Sequence, residues 1–253
     1  MKLTDRSNVN AQYATADNLN RRIGIHEKYS RNKQGFMPWI ASQYALKPGM
    51  AVLELGCGTG GMWRGMTLPE GCRLTLTDLS EGMLAAAREN TAHLPGVAYR
   101  QADAQDIPYE DGRFDAVIAN MMLYHVPDIG RALAEIRRVL KPGGVFYAAT
   151  FGEHGVVEAV AEMLGVTLAG NHRFTLQNGA EQLGRVFGQV ERTLYDDALD
   201  VTDPADLVAY LRSMASMEVL TSVSDETMLA AFRARMADGV LRLPKEYGLF
   251  ICR

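Results

Sequence analysis

The stretch Val52-Leu-Glu-Leu-Gly-Cys-Gly-Thr-Gly60 decides the fold of this chain. Apolar residues lead directly into glycines at positions 56, 58 and 60, which is typical of a buried strand that turns sharply into a helix. Glycine lets the backbone approach a ligand closely, and the free N–H groups that open the following helix favour an anionic group. The pattern therefore predicts a ligand site at the end of this strand, with the carboxylate of Glu54 beside it.

The glycines alone leave two kinds of cofactor open. Gly56, Gly58 and Gly61 also satisfy the G-x-G-x-x-G pattern of dinucleotide sites. Asp78 ends a second apolar run, where an acid accepts hydrogen bonds from ribose hydroxyls in either kind of site. Glu54 separates the two, because a carboxylate at the turn repels a pyrophosphate and attracts an ammonium or sulfonium group. The residues favour S-adenosylmethionine over a dinucleotide such as NAD.

Length and composition exclude several classes of protein. A chain of 253 residues suits one α/β domain with a modest cap. The net charge of -4, without a run of Lys or Arg, gives no footprint for nucleic acid. The three cysteines lack metal-ligand spacing, so we expect reduced thiols, no metal site and a cytoplasmic location. We expect neither a signal peptide nor a membrane span, since no apolar run approaches ~20 residues.

Strands alternate with helices along the chain, which predicts a parallel sheet covered on both faces. Periodicity and capping residues predict helices over residues 17–46, 61–66, 81–91, 156–164, 179–187, 204–214 and 225–237, and a further helix that starts after Pro127-Asp128 and stops at Pro142-Gly143-Gly144. Strands are predicted over residues 51–55, 73–77, 97–101, 114–119, 145–150, 190–194 and 247–252. The two late helices interrupt the path between the last two strands, and such an insertion usually lies over the ligand site.

The order and spacing of several short motifs resemble those of class I S-adenosylmethionine-dependent methyltransferases, in particular the small-molecule group that includes the ubiquinone and menaquinone methyltransferases. The motifs span about residues 51–150 and comprise Glu54–Gly60, Asp78, Ala102–Ala104, Phe114–Asn120, His125–Asp128 and Leu140–Gly144. The resemblance implies an α/β fold with a Rossmann-like, mostly parallel sheet whose last strand is antiparallel. It implies a single methyltransferase domain over residues 1–253, with a helical cap (1–47), a cofactor-binding core (48–150) and a C-terminal half with a helical lid at about 203–238.

The same resemblance implies roles for individual residues in binding S-adenosylmethionine. Gly56, Gly58 and Gly60 would line the methionine part of the cofactor, and Asp78 would hold the ribose. The remaining predicted cofactor residues are Glu54 and Cys57 at the loop, Leu79 and Ala104 beside the adenine, Asp103 near its exocyclic amine, and Asn120 after the fourth strand. Asp103 has an alternative role as a cap of the turn that follows it.

His125 and Tyr124 are the candidate catalytic residues, because they follow the fourth strand on the rim where the reaction should occur. The alternative for His125 is a hydrogen bond to the backbone before Pro127. Other side chains that could close over the cofactor are Tyr13, His26 and Tyr29. Asp115 is better explained as marking the start of a strand than as part of the chemistry.

The predicted reaction is the transfer of a methyl group from S-adenosylmethionine to O, N or C of a small molecule, by in-line displacement. Alignment alone supplies much of such a rate, so a missing catalytic dyad does not argue against an enzyme. Methionines at 214, 217, 228 and 236 fit either core packing or an adaptable pocket for an apolar or aromatic acceptor. Alternatives are a methyltransferase for RNA or protein, a non-catalytic S-adenosylmethionine-binding protein, and an NAD(P)-dependent oxidoreductase. The partner is expected to be a small molecule, with no nucleic acid or membrane, and the protein a monomer or homodimer.

Overall fold

The sheet at the centre of the molecule has seven strands. A computed structural model describes residues 24–168, 172–214 and 218–253. In chain order its strands are β1 (Ala51–Leu55), β2 (Arg73–Asp78), β3 (Val97–Gln101), β4 (Phe114–Asn120), β5 (Leu140–Phe151), β6 (Val190–Tyr195), β7 (Ala198–Val201), β8 (Leu241–Pro244) and β9 (Tyr247–Cys252). The main sheet has the order β3-β2-β1-β4-β5-β9-β6, and β7 and β8 form a separate two-stranded sheet.

The quoted strand β1 lies between β2 and β4 and is parallel to both, with Glu54 opposite Leu76 on one side and Ile118 on the other. All five of its residues are buried, which explains why the run is apolar except for Glu54. Strand β9 is antiparallel to both of its neighbours, β5 and β6. The prediction of a mostly parallel sheet with an antiparallel last strand is therefore confirmed.

Helices cover the sheet. They are α1 (Phe36–Gln43), α2 (Glu81–Asn90), α3 (Ile129–Val139), α4 (Val156–Leu164), α5 (Gly179–Gly184), α6 (Pro204–Arg212), α7 (Glu218–Thr221) and α8 (Asp225–Arg235). Three predicted N-caps are present: the side chains of Ser80, Asp203 and Ser224 accept hydrogen bonds from backbone N–H groups at the starts of α2, α6 and α8. Among the described residues, no helix is both long and apolar enough to cross a membrane.

The helix predicted over residues 17–46 is wrong as one continuous element. Residues 17–23 lie outside the described part of the chain; residues 24–29 are helical, and a second helix, α1, begins at Phe36. Between them Ser30 pairs with Leu199 as an isolated β-bridge, and Gly35 has a left-handed φ of 79°. Helical periodicity on either side of the break could not show that the chain leaves the helix to pair with a distant strand.

Two further expectations need correction. The helix expected over residues 61–66 is a single 3-10 turn, Gly61–Trp63, and the left-handed φ of 73° at Gly65 is incompatible with a longer helix. Strand β5 begins at Leu140 rather than at Val145, so the Pro-Gly-Gly run lies within a strand as well as ending helix α3. The two-stranded sheet of β7 and β8 was not predicted.

The N-terminal cap and the late insertion, predicted as separate segments, share one apolar core. Ile25 and Tyr29 pack with buried side chains of α4, α6 and α8 and of the two-stranded sheet. Met214 and Met228 are buried in this core and Met236 packs against it, as the packing explanation expects. Met217 lies outside the described residues. The cap and the insertion together cover the end of the sheet where β1, β2 and β4 finish.

Candidate functional site

A cavity of about 1230 Å³ lies at the carboxyl ends of β1, β2 and β4. Its lining contains nine of the ten predicted cofactor residues: Glu54, Gly56, Cys57, Gly58, Asp78, Leu79, Asp103, Ala104 and Asn120. Both candidate catalytic residues, Tyr124 and His125, also line it. Tertiary structure therefore brings together residues that are spread over five separate motifs.

The glycine loop is shaped by left-handed backbone. Gly56, Gly58 and Gly60 have φ values of 62°, 55° and 68°. A Cβ at Gly56 would lie 2.9 Å from the Cβ of Met122, so a side chain is excluded there. Gly60 is the predicted cofactor residue that is absent from the cavity lining; a Cβ on it would lie 3.2 Å from the Cα of Ala87 in α2. Its placement fits close packing on α2, and a cofactor contact at Gly60 stays a prediction.

Asp78 links the end of β2 to the glycine loop. One carboxylate oxygen accepts a hydrogen bond from the Gly58 N–H at 2.9 Å, and the other accepts from the Ser80 N–H at 2.9 Å. Burial raises the pKa of Asp78, and these backbone hydrogen bonds oppose the rise. The carboxylate thus holds the loop in shape while it faces the cavity, where a ribose hydroxyl could donate to it.

Glu54 is a buried carboxyl with an exposed fraction of only 2%. Its Oε2 accepts from the indole Nε1 of Trp63 at 2.6 Å, and its Oε1 accepts from Nδ2 of Asn120 at 3.2 Å. Burial raises its pKa to about 7, although both hydrogen bonds lower it. The sequence predicts an anionic side chain here, whereas a pKa of about 7 makes the charge of Glu54 depend on pH near neutrality. A cationic ligand group beside it would favour the ionised form.

Asn120 continues this network to the end of helix α1. Its Nδ2 donates to the hydroxyl of Tyr44 at 2.8 Å, and burial raises the pKa of that tyrosine. The next residue, Met121, has a φ of 52°, which is uncommon for a residue other than glycine and turns the chain sharply after β4. Sequence reasoning missed Tyr44 and Trp63, because nothing in their local pattern marks them as partners of Glu54 and Asn120.

The candidate catalytic pair stands on a 3-10 turn, Leu123–His125, that follows β4. The ring centroids of Tyr124 and His125 are 4.5 Å apart, and those of Tyr124 and Phe151 are 4.6 Å apart. These contacts place both rings at the wall of the cavity. Their catalytic roles stay predictions.

Two acids are held by structural contacts. Asp103 accepts a hydrogen bond from the Gln105 N–H at 2.9 Å, which is the turn-capping role, and it also lines the cavity. Asp115 forms a 2.8 Å ion pair with Lys141 and accepts from the Ala51 N–H at 2.8 Å. Asp115 thus joins β4 to the start of β1, as expected for a residue outside the chemistry.

Another part of the cavity wall comes from the cap, the insertion and the start of β9. It includes His26, Phe36, Tyr210, Met214 and Tyr247. The ring centroids of Phe36 and Tyr247 are 4.8 Å apart, and those of His26 and Tyr210 are 5.7 Å apart. Burial, and then the charge of Lys245, lower the pKa of His26 to about 3, so its imidazole is neutral at physiological pH.

The other two N-terminal candidates are not part of this wall as described. Tyr29 packs in the shared core of cap and insertion and donates its hydroxyl hydrogen to Asp206 at 2.6 Å. Tyr13 lies outside the described residues. Within the part of the chain that the structure covers, no group of three His, Cys, Asp or Glu side chains could hold a metal ion.

Comparison with known proteins identifies the central part of this fold. Residues 53–148 match the family model described as a methyltransferase domain. The resemblance stated from the sequence motifs is confirmed over this span.

Relatives with this domain act on different small molecules. The chain is 34% identical over 140 residues to a demethylmenaquinone methyltransferase of Staphylococcus aureus, covering 54% of this chain and 55% of the relative. It is 33% identical over 138 residues to sterol 24-C-methyltransferase ERG6B of Gibberella zeae, covering 53% of this chain and 34% of the relative. The chain therefore spans between about a third and about half of the length of these relatives.

Solved structures share the fold of this region and of its surroundings. Phosphoethanolamine N-methyltransferase 2 of Haemonchus contortus, in complex with S-adenosyl-L-methionine, aligns with a TM-score of 0.60 at 20% identity, over 100% of this chain and 60% of that one. The [4+2]-cyclase SpnF aligns with a TM-score of 0.59 at 21% identity, over 97% of this chain and 95% of that one. The same fold thus occurs in a protein named for a different reaction, so the fold alone does not determine the function.

Proposed function

We propose that this protein transfers a methyl group from S-adenosylmethionine to a small-molecule acceptor. The observation that carries the proposal is the buried carboxyl of Glu54, which lies at the glycine loop with only neutral hydrogen-bond donors around it. Among the described residues no salt bridge involves Glu54, and a buried carboxylate calls for a cation. The ammonium and sulfonium groups of S-adenosylmethionine supply positive charge to such a site, whereas a pyrophosphate would be repelled.

The remaining cofactor residues fit the same ligand. Asp78 accepts hydrogen bonds from the ribose hydroxyls, using lone pairs that the Gly58 and Ser80 N–H groups leave available. Leu79 and Ala104 flank the adenine, and Asp103 meets its exocyclic amine. Gly56, Gly58 and Cys57 border the methionine part. S-adenosylmethionine brings a methyl group already activated on a sulfonium.

The acceptor is proposed to be neutral and apolar or aromatic. Phe36, Tyr247 and Met214 in the cavity wall support this, since such side chains favour ring-bearing apolar ligands. His125 and Tyr124 are proposed to contact the acceptor or the transferred group, at O, N or C. The two curated relatives named above, for a sterol and for demethylmenaquinone, are consistent with this class.

The surroundings of the reaction are also proposals. We propose a single domain, monomeric or homodimeric, that acts in the cytoplasm without a nucleic-acid partner. All three cysteines, Cys57, Cys72 and Cys252, are free and buried, which fits a reducing compartment. The net charge of -4 supports a small-molecule acceptor over RNA.

Ligand-induced stabilisation tests the cofactor, and product analysis tests the reaction. We expect S-adenosylhomocysteine to raise the Tm and NAD to leave it unchanged, with about 2.7 kcal/mol of stabilisation at a hundredfold excess over Kd. Transfer of a labelled methyl group to a panel of ring-bearing phenols, quinols and amines would then show turnover. Stabilisation by NAD alone would overturn the proposal. Binding of S-adenosylhomocysteine without transfer to any small molecule, tRNA or protein would favour a non-catalytic role.

A further inference from the structure

One segment of the N-terminal cap forms part of the cavity wall. We call residues 26–38 the strap. Its cavity-lining residues include His26, Ser30, Asn32 and Phe36. The strap is joined to β7 by the Ser30–Leu199 bridge and by a hydrogen bond from the Arg31 N–H to the Ala198 carbonyl at 2.9 Å. Its position therefore depends on contacts with the C-terminal half, more than 160 residues away in sequence.

The carboxylate of Asp197 accepts hydrogen bonds from two groups of the strap. Its Oδ1 accepts from the Asn32 N–H at 2.9 Å and from the Ala198 N–H at 2.8 Å. Its Oδ2 accepts from the hydroxyl of Ser30 and from Nζ of Lys245, the latter at 2.8 Å. Two of these four donors belong to the strap, so this carboxylate fixes both the backbone and a side chain of that segment.

Lys245 completes the cluster from the far end of the chain. Its Nζ donates to Ser30 Oγ at 2.9 Å and lies 5.1 Å from the ring centroid of Tyr247 and 5.4 Å from that of Tyr195. The side chains of Lys245 and Asp197 are 2% and 0% exposed, whereas the other ion pairs of the described residues each have at least one partner that is 31% exposed or more. A pair so buried is shielded from water and salt, so its geometry is held firmly.

We infer that Asp197 and Lys245 are positioning residues that hold the strap as the acceptor-side wall of the cavity. Removal of either charge leaves the other buried and unpaired, and the strap loses a hydrogen-bonding partner at Ser30. In the described part of the chain, no hydrogen bond or ion pair joins the glycine loop or Asp78 to this cluster, and both keep their own hydrogen bonds. Loss of the pair should therefore loosen the acceptor side and spare the cofactor side. The binding of an acceptor at this wall rests on the function proposed above, whereas the placement of the strap does not.

Hydrogen exchange followed by mass spectrometry on the full chain tests the inference. We expect strap amides in Asp197→Asn and in Lys245→Met to exchange at least about tenfold faster than in the parent, with amides of β1 and β4 within about threefold. The control is Glu181→Gln, which removes the exposed pair with Arg185 at helix α5, contains no strap residue and should leave exchange of the strap unchanged. The double variant Asp197→Asn/Lys245→Met should regain Tm, since no unpaired charge remains, without regaining protection of the strap.

Three outcomes would overturn the inference. They are unchanged hydrogen exchange of the strap in both single variants, exchange of β1 and β4 that accelerates as much as that of the strap, and full recovery of strap protection in the double variant.

Titration calorimetry separates this inference from the proposed function. We expect Asp197→Asn to bind S-adenosylhomocysteine within about threefold of the parent, and 2-naphthol at least about tenfold more weakly in its presence. If the parent binds neither probe, the proposed function fails, while the exchange data still decide the role of the pair.

Discussion

The indole Nε1 of Trp63 donates a hydrogen bond of 2.6 Å to Oε2 of Glu54, and both residues are almost completely buried. The contact exists because the chain reverses through the glycine loop and one 3-10 turn, which carries Trp63 back over the end of β1. It leaves a carboxyl in the interior with a satisfied oxygen but without a counter-charge among the described residues. The attraction of a cationic ligand group to the cavity depends on whether this carboxyl is ionised.

Replacement of Trp63 by Phe should destabilise the protein more at pH 8 than at pH 5. The pKa of Glu54 is about 7, so its carboxyl is mostly ionised at pH 8, and the ionised form needs the hydrogen bond from the indole N–H. Loss of that donor should lower the free energy of unfolding by about 1–3 kcal/mol at pH 8, and by less at pH 5, where the group is protonated. Urea unfolding at the two pH values measures this. Trp39→Phe, which changes a partly buried indole stacked on Phe36, is the control and should show an equal effect at both. An equal loss at both pH values in Trp63→Phe would refute the role of the charge.

Glu54→Gln should become relatively more stable as pH rises. The folded-state pKa of about 7 is above the ordinary 4.5, so between these values the unfolded chain releases a proton that the folded protein keeps. The free energy of unfolding of the parent therefore falls over this range, by at most roughly 3 kcal/mol, and glutamine removes that fall.

Denaturant unfolding of the ligand-free parent and variant at pH 5, 6, 7 and 8 checks this prediction. Glu135→Gln serves as a comparison, because hydrogen bonds from Arg138 lower the pKa of Glu135 below its ordinary 4.5, so its difference from the parent should stay constant from pH 5 to pH 8. A constant difference between Glu54→Gln and the parent at every pH would show that Glu54 is ionised throughout.

Asp78→Ala should weaken binding of S-adenosylhomocysteine by about 1.5–3 kcal/mol, or roughly tenfold to a hundredfold in Kd, because a charged hydrogen-bond acceptor is lost. Part of this loss would come from the Gly58 N–H, which also loses its partner. Asp78→Asn keeps an oxygen for that N–H and isolates the contribution of the charge. Isothermal titration of both variants provides the measurement, with the exposed acid Asp106 changed to Ala as control. Parent-like affinity in Asp78→Ala would remove the ribose assignment.

Gly56→Ala should cost more stability than Gly65→Ala. Both glycines have left-handed φ, 62° and 73°, so both substitutions carry backbone strain of about 1–2 kcal/mol. A Cβ at Gly56 also meets Met122 at 2.9 Å, whereas Gly65 has nothing within 4 Å. The difference in Tm between the two variants therefore measures the destabilisation caused by the close contact with Met122 alone. Equal losses would mean that Met122 moves aside without strain.

Much of the cofactor side was predictable because its residues are close together in sequence. The glycine loop and Glu54 lie within one stretch of seven residues, and Asp78 ends the strand that pairs with it. The order of apolar runs was enough to predict parallel strands, and parallel strands bring their carboxyl ends to one edge. Gly60 shows the limit of this reasoning, because its packing on α2 could not be distinguished from a cofactor contact.

The acceptor side could not be predicted in the same way. Asp197, Lys245 and Ser30 belong to three distant segments, and no periodicity links them. Helical periodicity on both sides of Ser30 predicted one helix, whereas pairing with Leu199 in the folded chain breaks it. Contacts of this range depend on how the sheet and its covering helices pack, which no local sequence pattern specifies.

By itself, the sequence determined the class of fold, the glycine turn and the acid at the end of β2, because each depends on local conformational preference and on the spacing of neighbouring residues. Only tertiary structure decided that Glu54 titrates near neutral pH and that the strap forms a wall of the cavity. The physical reason is that desolvation and long-range hydrogen bonds depend on which distant groups surround a residue.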